Sequence, residues 1–88
     1  SDWKTTGYLD VKYNDKTRRN WKHLFEFTDE NGTQVFTKDS IIAHVPLKTL
    51  TKMMAGKKQL KIYMMINPPD PMMAAPSRRV HLATLKLP

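Results

Sequence analysis

The chain has 88 residues, of which 40% are hydrophobic and 26% charged, and this length supports one hydrophobic core, so we expect a single domain over residues 1–88. Fifteen Lys and Arg residues against eight Asp and Glu give a net charge of +7, which favours negatively charged partners such as nucleic acid or an acidic protein surface. Cysteine is absent, which excludes disulfide and thiolate chemistry, and the lack of a run of roughly 18 apolar residues predicts no membrane span.

The absence of cysteine also favours a cytoplasmic location over an extracellular one. The first residues contain no apolar core of a signal peptide. The chain starts at Ser1 rather than at a Met. If a leader was removed before Ser1, the sequence does not determine the location.

Alternation of apolar residues predicts a first strand over residues 8–13, with Leu9, Val11 and Tyr13 on its core face. Polar and basic residues then predict a solvated loop over residues 14–20. This loop joins the first strand to the second.

The second strand has the clearest pattern in the chain, because Trp21, His23, Phe25 and Phe27 all fall on one face. Residues 29–32 follow as a turn in which Gly32 takes a positive φ. A returning strand covers residues 34–38 and continues over 41–45. Asp39 and Ser40 interrupt it, either as a bulge or as a split into two strands.

A short helix is predicted at about residues 46–55, because Leu47, Leu50, Met53 and Met54 lie on one stripe between Pro46 and Gly56. A further strand follows over residues 60–66. Prolines 68, 69 and 71 end it. The closing strand covers residues 78–87, with a change of alternation that predicts a bulge near Ala83 and Thr84.

These elements predict a mostly β domain of five to six antiparallel strands and one helix. A helix between the third and fourth strands is typical of a small barrel like the OB fold. The alternative is a β-sandwich, in which the helix would connect two sheets; of the two folds, the barrel is preferred. The comparison with the OB fold depends on element order alone.

The positive charge falls in three clusters along the sequence, in residues 16–22, 48–61 and 78–81. Such clusters suit contacts with phosphates, and aromatic side chains between them suit stacking with bases. Tyr8, Phe36 and Tyr63 are the aromatic residues that we expect to point away from the core.

Chemistry at a catalytic or metal site is not indicated. The three histidines are dispersed, and the acidic residues Asp29, Glu30 and Asp39 suit turns and solvent. Three glycines provide no phosphate-binding loop. We therefore expect a protein that is not an enzyme and has no cofactor or metal.

The leading hypothesis is a non-catalytic domain that binds nucleic acid, in particular single-stranded DNA or RNA. The residues predicted to contact phosphates are Arg18, Arg19, Lys22, Lys57, Lys58, Lys61, Arg78 and Arg79, and those predicted to stack with bases are Tyr8 and Tyr63.

The alternative is a module for protein interaction or assembly, viral or part of a larger complex. Its surface would be the loop of residues 67–76, with Pro69, Pro71, Met72 and Met73, because flexible thioethers beside prolines adapt to apolar partners. An uncovered strand edge would add pairing between copies, including a homodimer.

Overall fold

The computed structural model describes residues 3–14 and 16–86 of the chain, and strands dominate it. The strand content is 48% and the helix content 14%, which confirms the prediction of a mostly β fold. Its elements are α1 (Trp3–Thr6), β1 (Tyr8–Lys12), β2 (Lys22–Thr28), β3 (Gln34–Lys38), β4 (Ile42–Pro46), α2 (Leu47–Met54), β5 (Gln59–Asn67) and β6 (Arg78–Lys86).

The strands form two antiparallel sheets. A four-stranded sheet has the order β3-β2-β5-β6, and β1 pairs with β4 in a two-stranded ribbon. The chain crosses from the sheet to the ribbon at Asp39 and Ser40, and the Ser40 hydroxyl accepts a hydrogen bond of 3.1 Å from the Ile42 N–H. The predicted interruption is therefore a split into two strands rather than a bulge.

The core lies between the two sheets. Alternate residues of β2 and β5 point to it, and the ribbon and α2 supply the opposite wall. The fully buried side chains with the largest volumes are Phe25, Phe27, Leu50, Leu60, Ile62, Met64 and Ile66. The predicted alternation of β2 and β5 is confirmed.

The predicted helix is confirmed as α2, directly after Pro46, whose φ is −61°. Leu50 and Met53 are its buried residues, so its apolar stripe faces the core. Gly56 has a φ of +75°, which permits the left-handed turn after the helix that a residue with a Cβ adopts rarely.

Several expectations change in the structure. The described strands close no barrel, so the OB-like arrangement is not confirmed. The bulge in β6 lies at Leu82, since His81 pairs with Tyr63 and Ala83 with Ile62.

Phe36 was expected to point away from the core. Instead, its ring meets that of Phe27 edge to face, with centroids 5.3 Å apart, because the register of β3 places the two side chains opposite each other. Helix α1 was not predicted, and Leu87 lies outside the described residues.

The opposite surface of the four-stranded sheet, here called the open face, is not part of the core. Leu24, Tyr63 and Met65 are half-buried on it, yet none of them belongs to the cluster of apolar side chains packed between the sheets. Register places Lys61, Arg79 and the neighbouring even-numbered residues of β2 on the same surface. Half-buried apolar side chains and cations therefore share the open face, outside the core cluster of the described chain.

A pair of substitutions on β5 tests this division. Ile62→Ala removes a side chain with no exposed surface and should lower the free energy of unfolding by about 2–5 kcal/mol. Met65→Ala, on the open face, should lower it by about 1 kcal/mol or less. Urea denaturation of both variants measures this. Equal losses would contradict the description of the open face as uncovered.

Candidate nucleic-acid interface

A guanidinium group stacked on a tyrosine ring occupies the middle of the open face. The central carbon of the Arg79 guanidinium lies 3.6 Å from the centroid of the Tyr63 ring. The His81 ring also lies next to the Tyr63 ring. The centroids of these two rings are 5.2 Å apart, and their planes are tilted by 48°. This geometry follows from register, because His81 is directly opposite Tyr63 and Arg79 is diagonal to it.

Glu26 holds this stack in place. Its Oε1 accepts a hydrogen bond of 2.9 Å from Arg79 Nη2, and its Oε2 accepts one of 3.1 Å from Gln34 Nε2. The Glu26 side chain is only 17% exposed, so water weakens the ion pair with Arg79 less than at a fully exposed site. Both carboxylate oxygens are thus engaged in keeping the guanidinium over Tyr63.

The rest of the charge on the open face is positive. Register places Lys22, Lys61 and Lys86 on this face, and none of them forms an ion pair with another described residue. Glu26 is the one carboxylate that the described part of the open face carries. A positive potential therefore surrounds an aromatic centre.

The structure brings some predicted residues together and separates others. Lys22, Lys61, Tyr63 and Arg79 share the open face. Arg78 is opposite Ile66 and so points to the other side of β6. Arg18 and Arg19 lie in the loop before β2, where the Arg18 guanidinium is 5.3 Å from the Trp21 ring.

Tyr8 lies on the outer surface of the ribbon, away from the open face. Its ring is 4.5 Å from that of His44, whose Nδ1 is 2.7 Å from Asp10 Oδ1. Because the core separates the ribbon from the open face, Tyr8 and Tyr63 do not form one stacking surface.

Lys57 and Lys58 lie at the far end of β2, next to the turn that follows it. Lys57 Nζ donates to Asp29 Oδ2 at 3.2 Å, and the backbone N–H of Lys58 donates to Glu30 Oε1 at 3.0 Å. Local carboxylates therefore offset part of the charge of this cluster.

The same turn shifts the pKa values of both acids. The Thr33 backbone N–H, with further donation by Lys57 and by the Asn31 backbone, holds the pKa of Asp29 below its ordinary value of 3.8. The backbone N–H of Lys58 likewise lowers the pKa of Glu30. Both groups therefore stay ionised, as turn and ion-pair residues do.

The loop of residues 67–77 is anchored at its base and exposed at its tip. Ser77 Oγ and Asn67 Oδ1 are 2.7 Å apart, and Asp70 accepts hydrogen bonds from the backbone of Met72 and Met73. Met72 is 89% exposed. Met73 lines a shallow cleft of about 420 Å³ together with Lys22, Pro68 and Pro71. Pro69 is half-buried.

Sequence reasoning missed Glu26 as a member of the site, and it placed His81 in the basic cluster of residues 78–81 without a role in stacking. The alternation of β2 already placed Glu26 on the face opposite Phe25. What the sequence did not provide was the neighbour of β2 in the sheet, because only pairing with β5 and then β6 brings Arg79 within reach of Glu26.

Within residues 3–14 and 16–86, no three His, Asp or Glu side chains converge on a point where a metal ion could bind. Neither α1 nor α2 is long and apolar enough to cross a membrane. Comparisons of the chain with protein-family models, curated proteins and solved structures find no match.

The turn at Asp29 makes stability depend on pH in a defined direction. Because the folded pKa is lowered, the stabilisation is present above the ordinary value of 3.8 and is lost as the pH falls below it. Asp29→Asn should destabilise the protein at pH 7 and flatten the dependence of its thermal midpoint on pH between about 2 and 4.

The matched control is Asp39→Asn, at the exposed crossing between the sheets. This variant should keep the pH dependence of the original chain. If Asp29→Asn also keeps it, the proposed stabilising role of the ionised Asp29 is wrong.

Proposed function

We propose that this protein binds single-stranded nucleic acid on the open face and catalyses no reaction. The observation that carries the proposal is the Arg79 guanidinium stacked on Tyr63 in the middle of an uncovered, positively charged sheet. Planar guanidinium and aromatic groups both stack with bases, so the outer side of Arg79, the exposed edge of Tyr63 and the His81 ring would act as one stacking surface.

The arrangement along β5 supports a single strand as the ligand. From Lys61 the open face continues through Tyr63 and Met65 to Asn67, which pairs with Lys22, over about 20 Å at 3.3 Å per residue. Cations thus lie at both ends of a row of aromatic and apolar side chains. A duplex keeps its bases stacked inside, whereas a single strand can place bases on that row and phosphates near the lysines.

The other residues predicted to contact phosphates would contribute unequally to binding. Arg18, Arg19 and Arg78 lie at the same end of the sheet as Lys22 and would extend a path for the backbone of a longer strand. Lys57 and Lys58 would contribute less, because Asp29 and Glu30 lie beside them.

The first test is the affinity of a fluorescent single-stranded oligonucleotide at two salt concentrations. Three or four phosphate contacts from the open face should weaken binding about twenty- to fiftyfold between 50 and 200 mM salt. Fluorescence anisotropy with oligothymidylate and oligouridylate measures this for DNA and RNA. An affinity that does not change with salt would contradict the proposal.

The affinity of substituted variants for the oligonucleotide tests whether the open face is the binding surface. Tyr63→Ala should cost about 1–3 kcal/mol of binding free energy with little change of the salt dependence. Lys61→Gln should weaken binding and lower the slope against salt by about 0.7.

Lys48→Gln is the matched control, since Lys48 is exposed on α2 and carries the same charge. Thermal unfolding of each variant should show that it is folded. If Lys48→Gln weakens binding as much as Lys61→Gln, the ligand responds to overall charge and the open face is not the site.

Met72 supports a second candidate function, in protein interaction or assembly. A side chain 89% exposed at the tip of an anchored loop offers apolar surface that a monomer does not use. If this candidate function is correct, the average mass measured by light scattering rises with protein concentration, or the protein captures a protein partner. Met72→Asp should abolish whichever effect is seen.

Ala74→Asp is the control, because it adds the same charge to an exposed position of the same loop. A mass that stays monomeric, together with no effect of Met72→Asp on captured proteins, would contradict this candidate.

A further inference from the structure

A second cleft lies on the core side of the start of β2, opposite the open face. It has a volume of about 360 Å³, near the lower end of the range for small-molecule sites. Lys22 points to the open face, and the next residue, His23, points into the core side. The residues that line the cleft are Tyr13, Asn14, Lys16, Arg19, His23 and Ile41.

His23 lines this cleft, and its hydrogen bond to the backbone fixes which ring nitrogen carries the proton. Its Nδ1 is 2.8 Å from the Trp21 carbonyl oxygen, which can only accept, so Nδ1 carries a proton and the neutral ring has a free lone pair on Nε2. The side chain is buried, and among the described residues no buried side-chain nitrogen or oxygen lacks a partner. Nε2 bonds to none of those residues and is therefore not fully buried, and His23 is one of the residues that line the cleft.

The walls of the cleft differ in character. The Tyr13 ring lies 5.9 Å from that of His23, and Ile41, 44% exposed, adds an apolar surface. Lys16 and Arg19 are exposed at the rim, and neither forms an ion pair with another described residue. Among the described residues, the cleft thus combines aromatic and apolar surface from Tyr13 and Ile41, the polar side chains of His23 and Asn14, and two cations at its rim.

We infer that this cleft binds one nucleotide, with its base against Tyr13 and Ile41 and its phosphate between Lys16 and Arg19. An amino group of the base would donate to His23 Nε2. The choice of ligand class rests on the proposed function, and the nucleotide has two sources with the same chemistry: a free mononucleotide or the phosphorylated end of a strand bound to the open face.

The test follows nuclear magnetic resonance signals of the whole chain during titration with adenosine 5′-monophosphate at low salt. The amino group of adenine is the donor that Nε2 requires. Binding should shift the His23 ring resonances and those of Tyr13, and Lys16→Gln should weaken it about tenfold, as for one charge-assisted hydrogen bond. Lys48→Gln should leave the affinity within about twofold of the original.

Shifts confined to Tyr63 and His81, equal effects of Lys16→Gln and Lys48→Gln, or no saturable binding would each overturn the inference. These results would leave the proposed function standing if an oligonucleotide still loses affinity in Lys61→Gln. Conversely, binding of the mononucleotide at His23 with no effect of Lys61→Gln on any oligonucleotide would overturn the proposed function alone.

A second experiment distinguishes a free mononucleotide from the phosphorylated end of a bound strand as the ligand of the cleft. If the cleft takes the end of a strand, an oligodeoxyadenylate with a 5′ phosphate should bind about tenfold tighter than the same strand with a 5′ hydroxyl, and Lys16→Gln should remove the difference. If the cleft takes free mononucleotides, both strands bind equally while adenosine 5′-monophosphate still shifts His23.

Discussion

The pairing of β2 with β5 is the constraint on which the rest of the structure depends. Seven residue pairs join these central strands, and both alternate so regularly that one register sorts every side chain to one of two surfaces. Phe25 is opposite Met64 on the core side, and Glu26 is opposite Tyr63 on the other. A shift by one residue would exchange the two sets and expose the core. The same pairing thus fixes both the hydrophobic interior and the chemistry of the open face.

Glu26 is the one acidic residue on the described part of the open face, and its ion pair with Arg79 fixes the orientation of the guanidinium. An unpaired arginine samples many rotamers, and fixing it on binding costs conformational entropy. Glu26 is itself held by Gln34 on the edge strand, so Arg79 is already oriented over Tyr63 before any ligand arrives. In the proposed binding of bases, a stacking surface arranged in advance would reduce the entropy lost on association.

Local patterns in the sequence predicted much of the fold, because alternation and turn residues report on each element separately. The β2 strand, the turn at Gly32 and α2 follow from such patterns. The partner of each strand does not, since pairing depends on contacts between distant segments; hence Phe36 was expected on the wrong face. For the same reason the predicted basic residues divide between the open face, the opposite side of β6 at Arg78, the loop before β2 and the turn at Asp29, although the sequence presents them as equivalent clusters.

The crossing of the chain between the sheets at Ser40 has a consequence for the order of folding. The ribbon pairs Val11 with Ala43, so everything between these residues, including the hairpin of β2 and β3, lies within one large loop. Closing a loop costs more entropy as its length grows, whereas the hairpin closes across a short turn. We therefore expect the hairpin to form first and the ribbon to dock late and complete the core. For strand pairs this distant in sequence, we expect folding in the millisecond-to-second range of all-β domains rather than in the microseconds of small helical bundles.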